Sequence, residues 1–411
     1  MPQQPVLALC SALCLWAALA LPLVRVAPNR LLSGQPVYLA DLLPHGGWLT
    51  LALLPVLTML ALVAWPWLRA RSRQPPPLRQ AVDPPPWLTP LLLLTMSLTL
   101  AGLLWLAGGH ASLIAQTESR LARTSLGAGF WSLLALIWLM CQDALSHSQR
   151  SDAWRAALLA LVAAPSMVMI WLGCGDDLSI MKEYANRSDA FWQALLRHLQ
   201  IVSVATLPSV LLGLPLAWGC SRSGALQRLL FPLLNIIQTI PSIALFGLFM
   251  APLAWAATRY PALAQAGISG VGMAPAVLAL LLYSLLPIVR SALAGLQQVP
   301  AAATTAARAM GLSGWQIFYQ IEVPLALPVL LPGLRTAVVQ TIGLAAVTAL
   351  VGAGGLGALM FDGLFSAANE LVLLGVLPIV LLAMLADALF KGLTALAGHG
   401  TASAAANGAV R

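Results

Sequence analysis

Charged side chains are scarce in this chain. Of its 411 residues, 21 are Lys or Arg and 13 are Asp or Glu, 8% in total, against 60% hydrophobic. Soluble domains carry roughly a quarter charged residues, so this composition excludes an ordinary soluble globular protein. Histidine and cysteine are also sparse, five of each. No H-E-x-x-H, no Ser/His/Asp set with plausible neighbours and no grouped metal ligands occur, which removes the usual hydrolytic and metal chemistries. The phosphate loop G-x-x-x-x-G-K-[S/T] is absent, so the chain has no means of its own to cradle a nucleotide. It reads as a protein that is not an enzyme and holds no metal or cofactor itself. The cysteines (Cys10, Cys14, Cys141, Cys174 and Cys220) are odd in number. Cys10 and Cys14 share a helix face without a histidine or carboxylate, which suits small apolar filler better than a metal. The net charge of +8 comes without a dense basic patch, which argues against nucleic acid and for the positive-inside bias of membrane proteins.

What is abundant is apolar sequence in runs of about 20 residues, long enough to cross a hydrocarbon core of about 30 Å. Their continuity points to helices, because the strands of a membrane barrel alternate. The expected fold is therefore all-α and polytopic, with about ten transmembrane helices. The first run, 6–24, lacks a basic leader and an A-x-A-like cleavage site, so it reads as a retained span. Further spans are expected at 48–68, 87–109, 126–145 and 154–173. Between the second and third lies RARSRQPPPLRQAVDPPP, an extended proline-rich connector whose arginines place it in the cytoplasm. That orientation puts the polar stretch 174–190 outside. Residues 191–219, 231–251, 274–292, 325–350 and 370–390 supply five more spans, with both termini cytoplasmic. The organisation expected is an N-terminal region over 1–190, a core over 191–392 and a flexible tail over 393–411.

One segment stands apart. VPAAATTAARAMGLSGWQIFYQIEVP, 299–324, is polar-tolerant and rich in small residues between apolar spans. Pro300 suits a first helical turn, and the alanines after it favour a slim helix. Gly311 stands where a left-handed terminal residue belongs. Ser313 and Gln316 have the spacing of a capping box for a second helix, 314–323, which Pro324 is expected to stop. Two short helices joined at a glycine are too polar to span and too small to fold alone, which marks them as a surface offered to another protein.

The spacing within this hairpin resembles a known motif. Thr305-Ala306-Ala307, three residues, Gly311, nine residues, then Ile321-Glu322-Val323-Pro324 is similar to the EAA loop of ABC importer permeases, Glu-Ala-Ala, three residues, Gly, nine residues, Ile-x-Leu-Pro. Thr305 replaces the acid and Val323 the leucine. NIIQTIPSIALFGL (235–248), PLALPVLLPGLRTAV (324–338) and VGAGGLG (351–357) extend the resemblance to the osmoprotectant branch of the type I importers, over roughly 191–392. The resemblance implies a permease for glycine betaine, choline or a related solute in the bacterial inner membrane, embedded in lipid. It implies partners too: an ABC ATPase that holds the ATP and magnesium, a second permease subunit (an identical copy or a paralogue) and a periplasmic substrate-binding protein. Thr305, Ala306, Ala307, Gly311, Ile321 and Pro324 are then the ATPase-coupling residues.

Candidate pathway or gate residues are Gln238, Pro241 and Ser242 inside an apolar run, Pro328 and Pro332, Arg335, and Gly354 and Gly355. Each has a plainer reading. Prolines at 324, 328 and 332 line one face, as a deformable pathway helix or as ordinary membrane prolines. The glycines form either a gate or a tight turn that needs positive φ. Arg335 snorkels or bonds a broken helix backbone, and Asp387 has the i,i+4 spacing to pair with Lys391. The core aromatics, Trp218, Phe231, Phe246, Phe249, Trp255 and Tyr283, read mainly as lipid or packing contacts. An amino-acid permease is the nearest alternative. A secondary transporter is the rival class, but neither coupling-ion ligands nor inverted repeats are visible.

Overall fold

The computed structural model describes residues 10, 13–14, 16–29, 32, 34–42, 88–119, 121–146 and 152–408. The expected span at 48–68 and the arginine–proline segment after it lie outside the described residues. The chain divides into two compact units, Met1–Asn186 and Arg187–Arg411.

In the first unit, helix α1 (Leu88–Thr117) packs with α2 (Ala128–Ser146) and α3 (Asp152–Trp171). A core of Met96, Leu103, Phe130, Leu133 and Met140 forms between them. Three short strands depart from the all-helical expectation: β1 (Val24–Ala27), β2 (Gln35–Val37) and β3 (Arg123–Leu126), in antiparallel order β2-β1-β3. The run expected to span 6–24 leaves its helix after Ala20 and enters β1, where β-branched Val24 and Val26 suit a strand. Helix α4 (Ser179–Asn186) lies within the polar stretch 174–190. Its Glu183, nearly buried, pairs with Arg123 of β3 at 3.4 Å.

The second unit is built around α9 (Met273–Gln297), the most buried of its long apolar helices. Alanines at 276 and 279 have no exposed surface, and small side chains let neighbouring helices approach closely where hydrophobic burial gives no drive inside a lipid bilayer. Helix α5 (Ser188–Arg222) packs on one side and α12 (Val323–Val347) on another. Ser209 of α5 donates to the Leu281 carbonyl at 3.1 Å, and the hydroxyls of Ser284 and Thr341 meet at 2.8 Å. Gly333 of α12 sits so close to α9 that a Cβ there would fall 1.8 Å from Ser291 Oγ.

The run expected as one span at 231–251 is two helices, α6 (Gly224–Thr239) and α7 (Ser242–Arg259). Residues before proline are pushed out of the helical region, and Ile240 accordingly takes φ −71°, ψ 128° ahead of Pro241. Short helix α8 (Pro261–Gln265) follows α7. Beyond α9 come the hairpin helices α10 (Ala301–Ala309) and α11 (Gly314–Ile317), then α12. Helix α12 closes in a 3₁₀ turn, Thr348–Val351, and the glycine-rich turn leads to α13 (Leu356–Phe365), which the apolar pattern had not separated. The last helix, α14 (Asn369–Gly408), continues through residues expected to be a flexible tail. Among the described residues, six helices are long and apolar enough to cross a membrane, five of them in this second unit.

Candidate functional site

The hairpin is defined at every joint by local hydrogen bonds. Pro300 precedes α10 with extended angles instead of occupying its first turn, and its carbonyl accepts from Ala303. At the far end Gly311 takes φ +80°, Gly311 N–H bonds Arg308 O at 3.0 Å, and Leu312 N–H bonds Ala307 O at 3.2 Å. That pair is a Schellman closure, which satisfies terminal carbonyls and needs a residue free to adopt positive φ. The capping box is formed: Ser313 Oγ accepts from Gln316 N–H at 3.3 Å and Ser313 N–H donates to Gln316 Oε1 at 2.8 Å.

The second arm does not stop at Pro324. One turn of α11 passes into a π-helical turn, Phe318–Glu322, where Val323 N–H bonds Phe318 O five residues back. The backbone then runs directly into α12, with Pro324 in the first turn, a place where a missing N–H is harmless. The hairpin is thus a continuous extension of α12. It is also clamped to the end of α5. Arg222 Nη2 lies 3.3 Å from Glu322 Oε1, the Arg222 guanidinium stacks 5.5 Å from the Trp218 ring, and Trp218 meets Phe318 edge-on at 5.8 Å. Trp315 adds a further ring contact to Phe318.

These contacts divide the hairpin into an anchored and an open face. Ala307 and Ile317 are buried, and Ile321 is half-buried. Thr305, Ala306, Gly311 and Pro324 are exposed, as are three large side chains, Met310, Trp315 and Tyr319. Thr305 donates its hydroxyl back to the Ala301 carbonyl at 2.8 Å, which leaves an uncharged oxygen, able only to accept, where the motif has a carboxylate.

The candidate pathway residues do not form one site. Gln238 bridges the α6–α7 break to α9 by donating to Tyr283 O at 2.9 Å, and the Tyr283 hydroxyl donates to Ile240 O. Both side chains therefore hold the break in place. Pro241 is exposed and Ser242 half-buried in the same region. Pro328 and Pro332 lie farther along α12, and the Thr336 hydroxyl bonds the Pro332 carbonyl at 3.0 Å. Arg335 joins α12 to α14 through Asp387 at 3.4 Å, while Lys391 takes the other oxygen of Asp387 at 2.8 Å. The local Asp387–Lys391 pair and an inter-helix role for Arg335 thus coexist.

Gly352, Gly354 and Gly355 have φ of +82°, +81° and +83°, the positive-φ turn that was one of the two readings of this run, whereas Gly357 lies in α13. Sequence reading missed what grips this turn. Arg197 Nε donates to Ala353 O at 3.0 Å, and buried His198 packs on Gly355 while its Nε2 reaches Ile342 O at 3.1 Å. The signal available was an Arg-His pair at the start of an apolar helix, where polar groups are costly. Arg222 and Glu322 were missed as well. Glu322 occupies the variable position of the I-x-L-P spacing, so the motif gave it no weight. Of the core aromatics, Trp218 is engaged at the clamp, Phe246 is fully buried and Tyr283 bonds the helix break.

Two family descriptions match the chain in succession. Residues 3–181 match "ABC transporter permease YehY, N-terminal domain", and residues 209–396 match "Binding-protein-dependent transport system inner membrane component". The chain is similar to the osmoprotectant import permease protein OsmW of Salmonella typhimurium, 39% identical over 46% of this chain and 84% of that protein. The carnitine transport permease protein OpuCD of Listeria monocytogenes is 35% identical over 49% of this chain and 82% of its own length. The glycine betaine/carnitine/choline permease protein OpuCD of Bacillus subtilis is 34% identical over 50% and 82%. Among solved structures, an inward-facing form of the MetNI methionine ABC transporter is similar at 22% identity and a TM-score of 0.44, over 52% of this chain and 98% of that one. With permease relatives at 34–39% identity over more than four fifths of their own length, the chain belongs to the binding-protein-dependent inner membrane components, the permease subunits of ABC importers.

Proposed function

We propose that this permease carries a small osmoprotectant, such as glycine betaine, choline or carnitine, across the bacterial inner membrane, and that the hairpin over 299–324 is where a separate ATPase docks. The observation that carries the docking role is the hairpin's construction: a rigidly capped surface with exposed Met310, Trp315 and Tyr319, continuous with α12 and clamped to α5. A partner pressing on this surface moves two spanning helices together. Thr305 in place of an acid leaves the contact to shape and apolar area. The substrate class is supported by the relatives, which are osmoprotectant, carnitine and glycine betaine/carnitine/choline permeases.

The working assembly has two permease subunits, two ATPases that bind ATP and magnesium, and a periplasmic binding protein. The chain itself supplies no catalytic group, lies in lipid and has both termini in the cytoplasm. The five spanning helices of the second unit form the transport core, and the first unit is an addition to it. Gln238, Pro241, Ser242, Pro328, Pro332, Arg335, Gly354 and Gly355 belong to the parts of that core that rearrange as the pathway opens.

The test is reconstitution of the chain with its ATPase and binding protein in proteoliposomes, followed by uptake of labelled glycine betaine, choline, carnitine and amino acids. ATP-dependent uptake of a quaternary amine is expected. Uptake that needs no ATPase, or that is confined to amino acids, would overturn the reading.

A further inference from the structure

At the end of α12 opposite the hairpin lies a buried titratable group that the transport reading leaves unused. His198 of α5 has no exposed surface. Its Nε2 is 3.1 Å from the Ile342 carbonyl. A carbonyl only accepts, so Nε2 carries the proton and Nδ1 of the neutral ring is a bare acceptor. Among the described residues, no donor reaches Nδ1. A buried acceptor without a partner is a cost that leucine or phenylalanine at this place would not incur. Packing alone therefore does not account for an imidazole here.

The ring also touches the part of the core best able to change shape. A Cβ on Gly355 would lie 3.3 Å from both Cα and Nδ1 of His198. One residue earlier, Arg197 holds the Ala353 carbonyl through Nε at 3.0 Å and Gln200 Oε1 through Nη1 at 2.9 Å. Gly272 N–H, just before α9, bonds Val351 O at 2.7 Å. Three glycines at positive φ give the turn backbone alternatives closed to other residues, and these few bonds select one of them. Because the ring is held at one nitrogen only, a single hydrogen bond must break for it to let go.

We propose that His198 is a positioning residue for transport: its bond to Ile342, seconded by Arg197 on Ala353, is a releasable catch that sets the glycine-rich turn, and the catch must open and re-form in each transport cycle. The inference rests on the importer reading and goes beyond it by naming what is released at the end of the core away from the ATPase. The same helix, α5, carries the Arg222 clamp at its other end, so movement at the hairpin has a direct path to the catch.

The experiment uses the full complex in proteoliposomes with spin labels at the exposed positions Leu199 and Leu350. His198→Gln keeps an N–H donor; His198→Phe fills the space without one. In the parent, the label distance should differ between the ATP-free and the ATP-trapped complex. His198→Phe should show the ATP-trapped distance before ATP is added and move about tenfold less glycine betaine per ATP hydrolysed, with His198→Gln within about threefold of the parent. Parent-like coupling or an unshifted distance in His198→Phe would sink the proposal, as would a Gln variant no better than Phe. If His198→Phe does not assemble, Arg197→Met removes the partly exposed half of the catch and must produce the same shift in distance. A parent complex that takes up no betaine would count against the substrate reading alone, because the label distances need only ATP and the ATPase.

Discussion

At the hairpin end of α12 the structure is held by side chains: an ion pair, a capping box, a cation over an indole and stacked rings, most of them reachable from water. At the other end the contacts converge on backbone: glycines pack against it, and Arg197, His198 and Gly272 N–H reach its carbonyls. Gly357 presses on the Ala346 carbonyl, Gly355 on His198, and carbonyls at 342, 351 and 353 take the bonds. The two ends are about 37 Å apart along 25 helical residues. Surface pairs and caps are each worth about 1 kcal/mol and can be remade in another arrangement, which suits a face that engages and releases a partner. Close backbone packing tolerates little displacement, so whatever moves there must move as a discrete switch.

The largest effect is expected where a methyl group has no room. In Gly357→Ala, the added Cβ would stand 1.9 Å from Ala346 O, so α12 and α13 must separate. The loss should be about 1–3 kcal/mol or more, seen as a lower melting temperature and a poor yield of monodisperse protein in detergent. Gly343→Ala, on α12 three residues before Ala346, meets nothing within 4 Å and serves as the matched control, with stability unchanged or slightly improved. Equal behaviour of the two variants would show that close backbone packing does not hold this end.

Next in size is Gly311→Glu. The site is open, with nothing within 4 Å of a Cβ, so the cost is the positive φ alone, about 1–2 kcal/mol confined to the hairpin. Thermal stability of the whole chain should barely change, yet co-purification of the ATPase and ATP-driven uptake should be lost. Retained uptake would show that the hairpin is not the docking surface.

Smaller still is the clamp. Arg222 is about half exposed, so Arg222→Glu should cost no more than about 1 kcal/mol in stability. It should nevertheless lower the solute moved per ATP, as should Glu322→Arg, and the double exchange should recover most of the coupling. A double variant as poor as either single one would mean that the pair only decorates the surface.

The same contrast decides what could be read from sequence. Continuous apolar runs announced the spanning helices, and local chemistry announced the hairpin: Ser313 with Gln316 and Gly311 needed only neighbours within a few residues. The turn glycines were legible for the same reason. The π turn before Pro324 was not, because its backbone slip leaves no composition signal, and a proline reads as a stop when it is in fact a start. Nor were the strands of the first unit, four residues or fewer, which carry too little alternation. Arg197 and Ala353 are 156 positions apart, and Arg222 and Glu322 are 100 apart. Periodicity along the chain does not encode pairings of that kind; they follow from how α5 and α12 lie together.

Thr305 offers the finest test of the comparison, since it changes the hairpin without disturbing how it folds. The residue is exposed and its hydroxyl is spent on Ala301 O within its own helix. Thr305→Glu restores an acid at the one coupling position where the spacing motif has it, and places negative charge near the middle of α10, where helix propensity is no worse for Glu than for Thr. Stability should stay within about 0.5 kcal/mol of the parent. If the ATPase already fits this surface by shape, through Met310, Trp315 and Tyr319, the new carboxylate should leave affinity unchanged at high salt. If a basic group on the ATPase stands opposite, affinity should rise, and should rise most at low ionic strength, where charge is least screened. Measuring ATPase affinity for parent and variant at two salt concentrations separates these cases. A fall in affinity at both would mean that threonine itself is a required contact and that the face is read more closely than by shape and apolar area alone.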